Sequence, residues 1–207
     1  MSYLNRCGLA AVVAWALVAI AGGSQAAAAE FHAAGGTALN GVQVNIHVLR
    51  VTGNTQECNT VSFTGTAPAS GTSEIQKLHP SYSNCTAFGF INPTFNTSNC
   101  TYEFRANTNT FNLVECANGG ITISTKTAFG NCGLLIPNQE GINGVSYINM
   151  NTAPNRTLTI ETNSTNMKAN VTEDTGVCPL TGGGMHNTVT YTGLTGVMGA
   201  TGETFRE

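Results

Sequence analysis

Residues 100–116 read CTYEFRANTNTFNLVEC: two alternating runs flank a polar turn, and a cysteine closes each end. If Cys100 faces Cys116 across an antiparallel pair, the same register sets Tyr102 opposite Val114. Directly opposed strand residues lie about 4.5 to 5.5 Å apart at Cα, within the span of a disulfide. The stretch therefore predicts a clasped hairpin, and with it a small oxidised β-protein. Parity complicates the register, because Phe111 and Leu113 alternate on one side while Val114 and Cys116 alternate on the other. An extra residue near Leu113 lets Phe111 share a face with Phe104 and still brings Cys116 round to Cys100, since a bulge shifts the alternation by one.

Outward from the hairpin, sulfur sets the compartment. The chain has 7 cysteines, of which Cys7 lies in an N-terminal segment that reads as a leader. Arg6, the apolar run Gly8 to Ile20 and the small residues Ser24 and Ala26 fit a secretory signal over residues 1–29. Cleavage is expected after Ala26, with Ala28 or Ala29 next; an uncleaved anchor is the rival, although the apolar run is short for a membrane span. No membrane span is expected after cleavage, and residues 30–207 are expected to form a single secreted β domain. Six cysteines remain: Cys58, Cys85, Cys100, Cys116, Cys132 and Cys178. An even count behind an export signal reads as a disulfide framework with 15 possible pairings. The preferred set is Cys58–Cys85, Cys100–Cys116 and Cys132–Cys178, each worth on the order of 3 to 4 kcal/mol by loop entropy, less any native strain. Zinc is disfavoured, because no Cys-x-x-Cys pair exists and the histidines are scattered. No cofactor is expected.

The full chain balances 8 basic against 11 acidic residues, and loss of Arg6 with the leader leaves the mature part at −4. Lys77, Arg105, Lys126, Arg156 and Lys168 stand far apart, so no concentrated positive field is available and nucleic-acid binding is disfavoured.

Read in order, Asn40-Gly41 predicts a turn. Val42, Val44, Ile46 and Val48 then alternate with Gln43, Asn45 and His47, predicting a half-buried strand with the histidine exposed. Leu49 and Val51 break that parity. Residues 65–73 read as a loop, and Glu74 to His79 as a helical turn or short strand that Pro80 ends. Cys85 to Ile91 predicts a buried strand carrying Phe88 and Phe90. Further strands are expected at Ile121 to Thr125, Cys132 to Ile136, Leu158 to Ile160, Met167 to Val171, and Val189 to Tyr191, the last extending past a kink at Gly193. Short strands at close spacing, punctuated by Gly, Asn and Pro, predict an all-β fold: an antiparallel β-sandwich or irregular barrel stabilised by disulfides. Thr-Ala-Phe-Gly recurs at 86–89 and 127–130, but no cysteine maps onto another at that offset, so an internal repeat is rejected.

Catalytic side chains are few. Charged residues make up 9% of the chain and Asp174 is the only aspartate. A glycosidase needs two opposed carboxylates; Glu103 and Glu115 read more simply as solvated charges on outer hairpin positions. A serine hydrolase needs serine, histidine and an orienting acid in contact, and the Gly-x-Ser-x-Gly elbow is absent. His32, His47, His79 and His186 lack metal-ligand spacing. Sugar binding would need exposed aromatic faces, for which Tyr82, placed in a loop, and Tyr147 are the candidates. Asn-x-Ser/Thr sites at Asn84, Asn96, Asn99, Asn155, Asn163 and Asn170 are the yield of an Asn- and Thr-rich chain, and no glycosylation is expected.

The run Tyr82-Ser-Asn-Cys-Thr-Ala-Phe-Gly89, followed by Asn99-Cys-Thr-Tyr-Glu-Phe104, resembles a group of uncharacterised secreted all-β, six-cysteine proteins of soil actinobacteria. The resemblance extends over most of the mature region, including Cys132 and Cys178. It implies export and disulfides and carries over no functional residue. The expectation is a secreted, non-catalytic domain, extracellular or associated with the cell envelope, whose partner is an extracellular protein or a glycan. A carbohydrate-binding module is the alternative, and a secreted hydrolase the further one.

Overall fold

The computed structural model describes residues 28–52, 54–87, 91–175, 178 and 184–207. Residues 1–27, most of the segment that reads as a leader, and the expected strand positions Phe88 and Phe90 lie outside the described residues. The described chain is all β: β1 (Phe31–Ala33), β2 (Ala38–Val51), β3 (Asn54–Thr66), β4 (Thr72–Ser73), β5 (Ile75–Ala87), β6 (Thr94–Asn96), β7 (Thr101–Arg105), β8 (Phe111–Val114), β9 (Gly120–Thr127), β10 (Gly130–Pro137), β11 (Gln139–Ile142), β12 (Val145–Met150), β13 (Thr157–Asp174), β14 (Gly184–Gly199) and β15 (Thr204–Arg206).

Twelve of these strands form one antiparallel sheet, ordered β11-β8-β7-β5-β3-β2-β14-β13-β10-β9-β6 with β12 added beside β13, and a small sheet β15-β1-β4 stands apart. The large sheet curls into a half-barrel around a core that includes Leu39, Phe63, Leu78, Phe111, Ile121, Leu158 and Met167. Of the two architectures expected, this is the irregular barrel.

Curling brings the β11 edge back towards β13, where no strand ladder joins them. On that side β13 pairs with β12 as far as Thr162 and with β10 from Asn170 onward, which leaves the middle of the strand to be satisfied otherwise. Side-chain amides do this. The Gln139 amide accepts from Lys168 N at 2.8 Å and donates to Lys168 O at 3.1 Å, as a neighbouring peptide would. Asn166 donates to Gly141 O at 3.0 Å and Asn143 accepts from Thr165 N at 3.0 Å. Asn149 of β12 likewise bonds both the N–H and the C=O of Arg206 in β15. Buried or bridging backbone groups need such partners.

The Cys100–Cys116 bridge forms, but the register differs from the one expected. Tyr102 lies opposite Leu113, not Val114, and Phe104 opposite Phe111. The extra residue is Glu115, two positions beyond the expected bulge, in the left-handed region at φ 59°. It carries the chain round so that Cys116 still meets Cys100. The other bridges are Cys58–Cys85 and Cys132–Cys178, so the three pairs are those preferred from the sequence. Cys58 and Cys85 oppose each other directly across β3 and β5.

Strand β2 corrects the reading most. Leu39, Gly41, His47, Leu49 and Val51 face the core, while Val42, Val44 and Ile46 face outward, between 42% and 60% exposed. His47 is therefore buried rather than exposed. Leu49 and Val51 keep the inward parity that Leu39 begins; the valine run was the misleading signal. Asn40-Gly41 lies within the strand, where a side chain at position 41 would crowd Phe63. Pro80 does not end its segment either: β5 continues through it, with Pro80 opposite Phe63. Pairing with β7 stops at Leu78, so the missing N–H is accommodated at a stretch flanked by one ladder. The two strands expected at Leu158 and Met167 are one, β13, whose register shift after Ser164 moves the inward set from even to odd positions. Strand β14 runs on past Gly193, as expected, and begins earlier than expected, so that it includes His186.

Replacing Gln139 by Ala should open the β11–β13 contact without unfolding the sheet. The Lys168 amide should then exchange its hydrogen faster, with a loss of about 1 kcal/mol of stability; unchanged exchange at Lys168 would show that the amide is not what holds the edge.

Candidate functional site

Two polar constellations stand out, one inside the barrel and one on its outer face. The interior one is a hydrogen-bonded chain. His47 Nδ1 lies 2.6 Å from the Tyr191 hydroxyl, that hydroxyl lies 3.0 Å from Tyr82, and Tyr82 lies 2.8 Å from Tyr102. The other ring nitrogen of His47 meets Thr195 Oγ1 at 3.2 Å. Strands β2, β14, β5 and β7 each contribute one member of the chain. Tyr82, expected in a loop, is a strand residue packed on Phe95.

Gly193 makes this arrangement possible. A Cβ at that position would overlap the His47 ring, so the imidazole lies against bare backbone of the neighbouring strand. Burial pushes His47 down from 6.5 to about 4. Burial also raises the Tyr102 hydroxyl to about 12 and lifts Tyr82 and Tyr191 well above their ordinary range. All four groups are thus neutral at pH 7. Two cavities of about 20 and 10 Å³ touch His47, Tyr102 and Tyr191. The larger is water-sized, and Gln56, which lines it, has a buried Oε1 with no protein partner. Neither could admit an organic substrate, since ligand pockets run to about 300 Å³ and more.

The outer constellation surrounds the hairpin clasp. Lys77 of β5 holds two carboxylates, Glu103 at 3.1 Å and Glu115 at 2.6 Å. These glutamates are therefore paired, not simply solvated. Lys77 first, and Thr101 second, hold the Glu115 carboxyl below its ordinary range. Thr101 Oγ1 donates to Glu115 at 2.9 Å and lies 3.2 Å from His79 Nδ1, which also lies 3.2 Å from the Cys100 carbonyl. The tautomer follows. Because the carbonyl can only accept and the threonine proton is engaged by Glu115, Nδ1 carries hydrogen, which in the neutral ring leaves Nε2 as the acceptor. Beside it a groove of about 450 Å³ is lined by His79, Ser62, Thr64, Ser81, Thr97 and Asn99. Ser98 and Asn99 both have positive φ, at 44° and 59°, an uncommon backbone state for non-glycine residues. Asn96 Oδ1 accepts from Ser98 N at 2.9 Å and steadies the turn.

The other expected sites fare as follows. Tyr147 is covered by Arg206, whose guanidinium sits 5.2 Å from the ring centroid, and its hydroxyl donates to Arg105 O. Tyr82 and Tyr147 therefore present no flat aromatic patch. Phe129, 88% exposed, stands at the turn between β9 and β10. His32 stacks on Phe205 at 4.7 Å, the Arg156 guanidinium lies over the same ring, and Arg156 pairs with Glu203 and Glu207. Among the described residues no group of three His, Cys, Asp or Glu side chains is placed to hold a metal ion. The parity of Leu39, Leu49 and Val51 could have revealed that His47 faces the core. Nothing local in the sequence marks the His79 groove, because its walls come from β3, β5 and the turn before β7. No family model, curated protein or solved structure matches the chain.

Two outcomes are expected for the interior chain. A base whose folded pKa is depressed stabilises the fold fully above its unfolded value of 6.5, and that contribution falls away as pH drops towards 4. Denaturant titration should find the wild type about 2 kcal/mol less stable at pH 5 than at pH 7, and His47→Gln should flatten that slope; an unchanged slope in the variant would assign it elsewhere. Gly193→Ala should displace the imidazole and cost about 1 to 3 kcal/mol as overpacking, measured as a lowered denaturation midpoint at pH 7.

Proposed function

We propose that the mature chain is a non-catalytic, disulfide-braced domain that works outside the cytosol, in the extracellular space or at the cell envelope, through binding rather than turnover. The observation that carries this reading is how the polar groups are engaged. His47 and three tyrosines bond one another in the core, Glu103 and Glu115 share Lys77, and Arg156 holds Glu203 and Glu207. An acid or base held in a structural pair is poorly placed to exchange protons with a substrate. Three disulfides in a chain of this size support an oxidising compartment, since cytosolic thiols are kept reduced. The segment that reads as a leader agrees with this.

Expression of the full chain with its own leader tests the reading. The protein should be recovered outside the cytosol, shortened at its N-terminus, and one mass unit lighter for each of the six bonded cysteines than the reduced form. Recovery in the cytosol with alkylatable thiols would refute it.

A further inference from the structure

We propose that the groove beside His79 binds a short, uncharged saccharide, held by hydrogen bonds rather than by ring stacking. The proposal rests on the reading of this chain as an extracellular binding domain and supplies its ligand class.

Four observations converge on the groove. Its capacity of about 450 Å³ falls within the range of small-molecule sites, roughly 300 to 1,000 Å³. Its walls are hydroxyls and an amide: Ser62, Thr64, Ser81, Thr97 and Asn99. Each such group both donates and accepts, as sugar hydroxyls do. His79 adds one directional acceptor, because its Nδ1 is committed to Cys100 O and Thr101, so Nε2 is set to receive a hydroxyl proton. The surface is also prearranged. Ser62 opposes Ser81 and Thr64 opposes His79 in the β3–β5 ladder, while the Cys100–Cys116 bridge ties the turn carrying Thr97 and Asn99 to the hairpin. Side chains held in place lose less entropy on binding.

Charge and backbone chemistry count against two rivals. Lys77 already lies between two carboxylates, so it offers no free cation to an anionic ligand. A peptide adding itself as a strand needs an open sheet edge; β5 has one beyond Leu78, where its ladder with β7 ends, but Pro80 supplies no N–H there for a new ladder. Pro80, between His79 and Ser81, is buried with its strand's inward set, so the groove's exposed lining is polar. Without a stacked aromatic ring, affinity should be weak, with Kd on the order of 1 mM.

The test is an NMR titration of the oxidised mature protein with neutral disaccharides of glucose and of N-acetylglucosamine, each in α- and β-linkage, with a neutral tripeptide as control. At least one disaccharide should shift the Thr97 and Asn99 amides and the His79 Nε2 resonance, with a Kd unchanged by added salt. His79→Ala should weaken that binding about tenfold, the effect of roughly 1.4 kcal/mol. Before ligand is added, His79 should show the tautomer with hydrogen on Nδ1. No shift with any disaccharide, an undiminished Kd in His79→Ala, or a shift caused by the tripeptide instead would each overturn the proposal. If the exported protein carries its three bridges and yet binds none of the sugars, the site fails while the extracellular assignment stands; a reduced, cytosolic protein would remove the assignment itself.

Discussion

A curled sheet that almost meets itself must satisfy the edge groups it brings together, and here carboxamide side chains do so. A planar amide with one donor and one acceptor in fixed relation can stand in for a peptide group. Gln139 does this towards Lys168, and Asn149 towards Arg206. Unpaired strand edges template association with other chains, so these contacts both close the fold and blunt its edges. The abundance of asparagine, which the sequence offers as mere turn chemistry, thus has a structural use at the edges. Ions could not replace these amides as simply, because a carboxylate only accepts and an ammonium only donates.

Closing the sheet this way fixes which residues point inward, and the consequences converge on His47. The imidazole enters the core because β2 keeps the parity of Leu39, Leu49 and Val51, and it fits because β14 supplies a glycine opposite it. A buried polar group costs roughly 1 to 3 kcal/mol if left without partners. The Tyr191 hydroxyl and Thr195 offset that cost for the histidine, and Tyr82 bonds both Tyr191 and Tyr102. Such a chain specifies one arrangement of β2, β14, β5 and β7, since sliding any of these strands by one residue would turn its polar member outward.

The legible part of the fold was whatever repeats with period 2 or is fixed by sulfur. Ile121 with Ile123, and Leu134 with Ile136, declared β9 and β10, and the clasped hairpin could be read from CTYEFR and FNLVEC. What misled was local patterning that tertiary context overrode. Val42, Val44 and Ile46 look like a core face and stand in solvent; Pro80 looks like a stop and is tolerated where one ladder suffices. Bulges obscured more: the parity conflict in the hairpin announced an extra residue but not that it is Glu115, and the shift after Ser164 carries no compositional mark. The groove was illegible for another reason: Ser62 and His79 become neighbours only through the pairing of β3 with β5, which no short window contains.

The same composition that supplies few acid–base side chains explains the character of the surface. Few charges means that most outward positions of β3 and β5 fall to Ser, Thr and Asn, and Lys77 among them is paired with Glu103 and Glu115. A surface so composed has little long-range field with which to steer a charged partner, and its attraction acts at hydrogen-bond range. In the proposed site, selectivity comes from where donors and acceptors are held, not from net charge. That places the burden on rigidity, which the Cys100–Cys116 bridge supplies twice over: it anchors the Ser98–Asn99 turn on one side, and on the other sets Glu115 where it can engage Thr101, leaving the proton on His79 Nδ1 and the acceptor on Nε2.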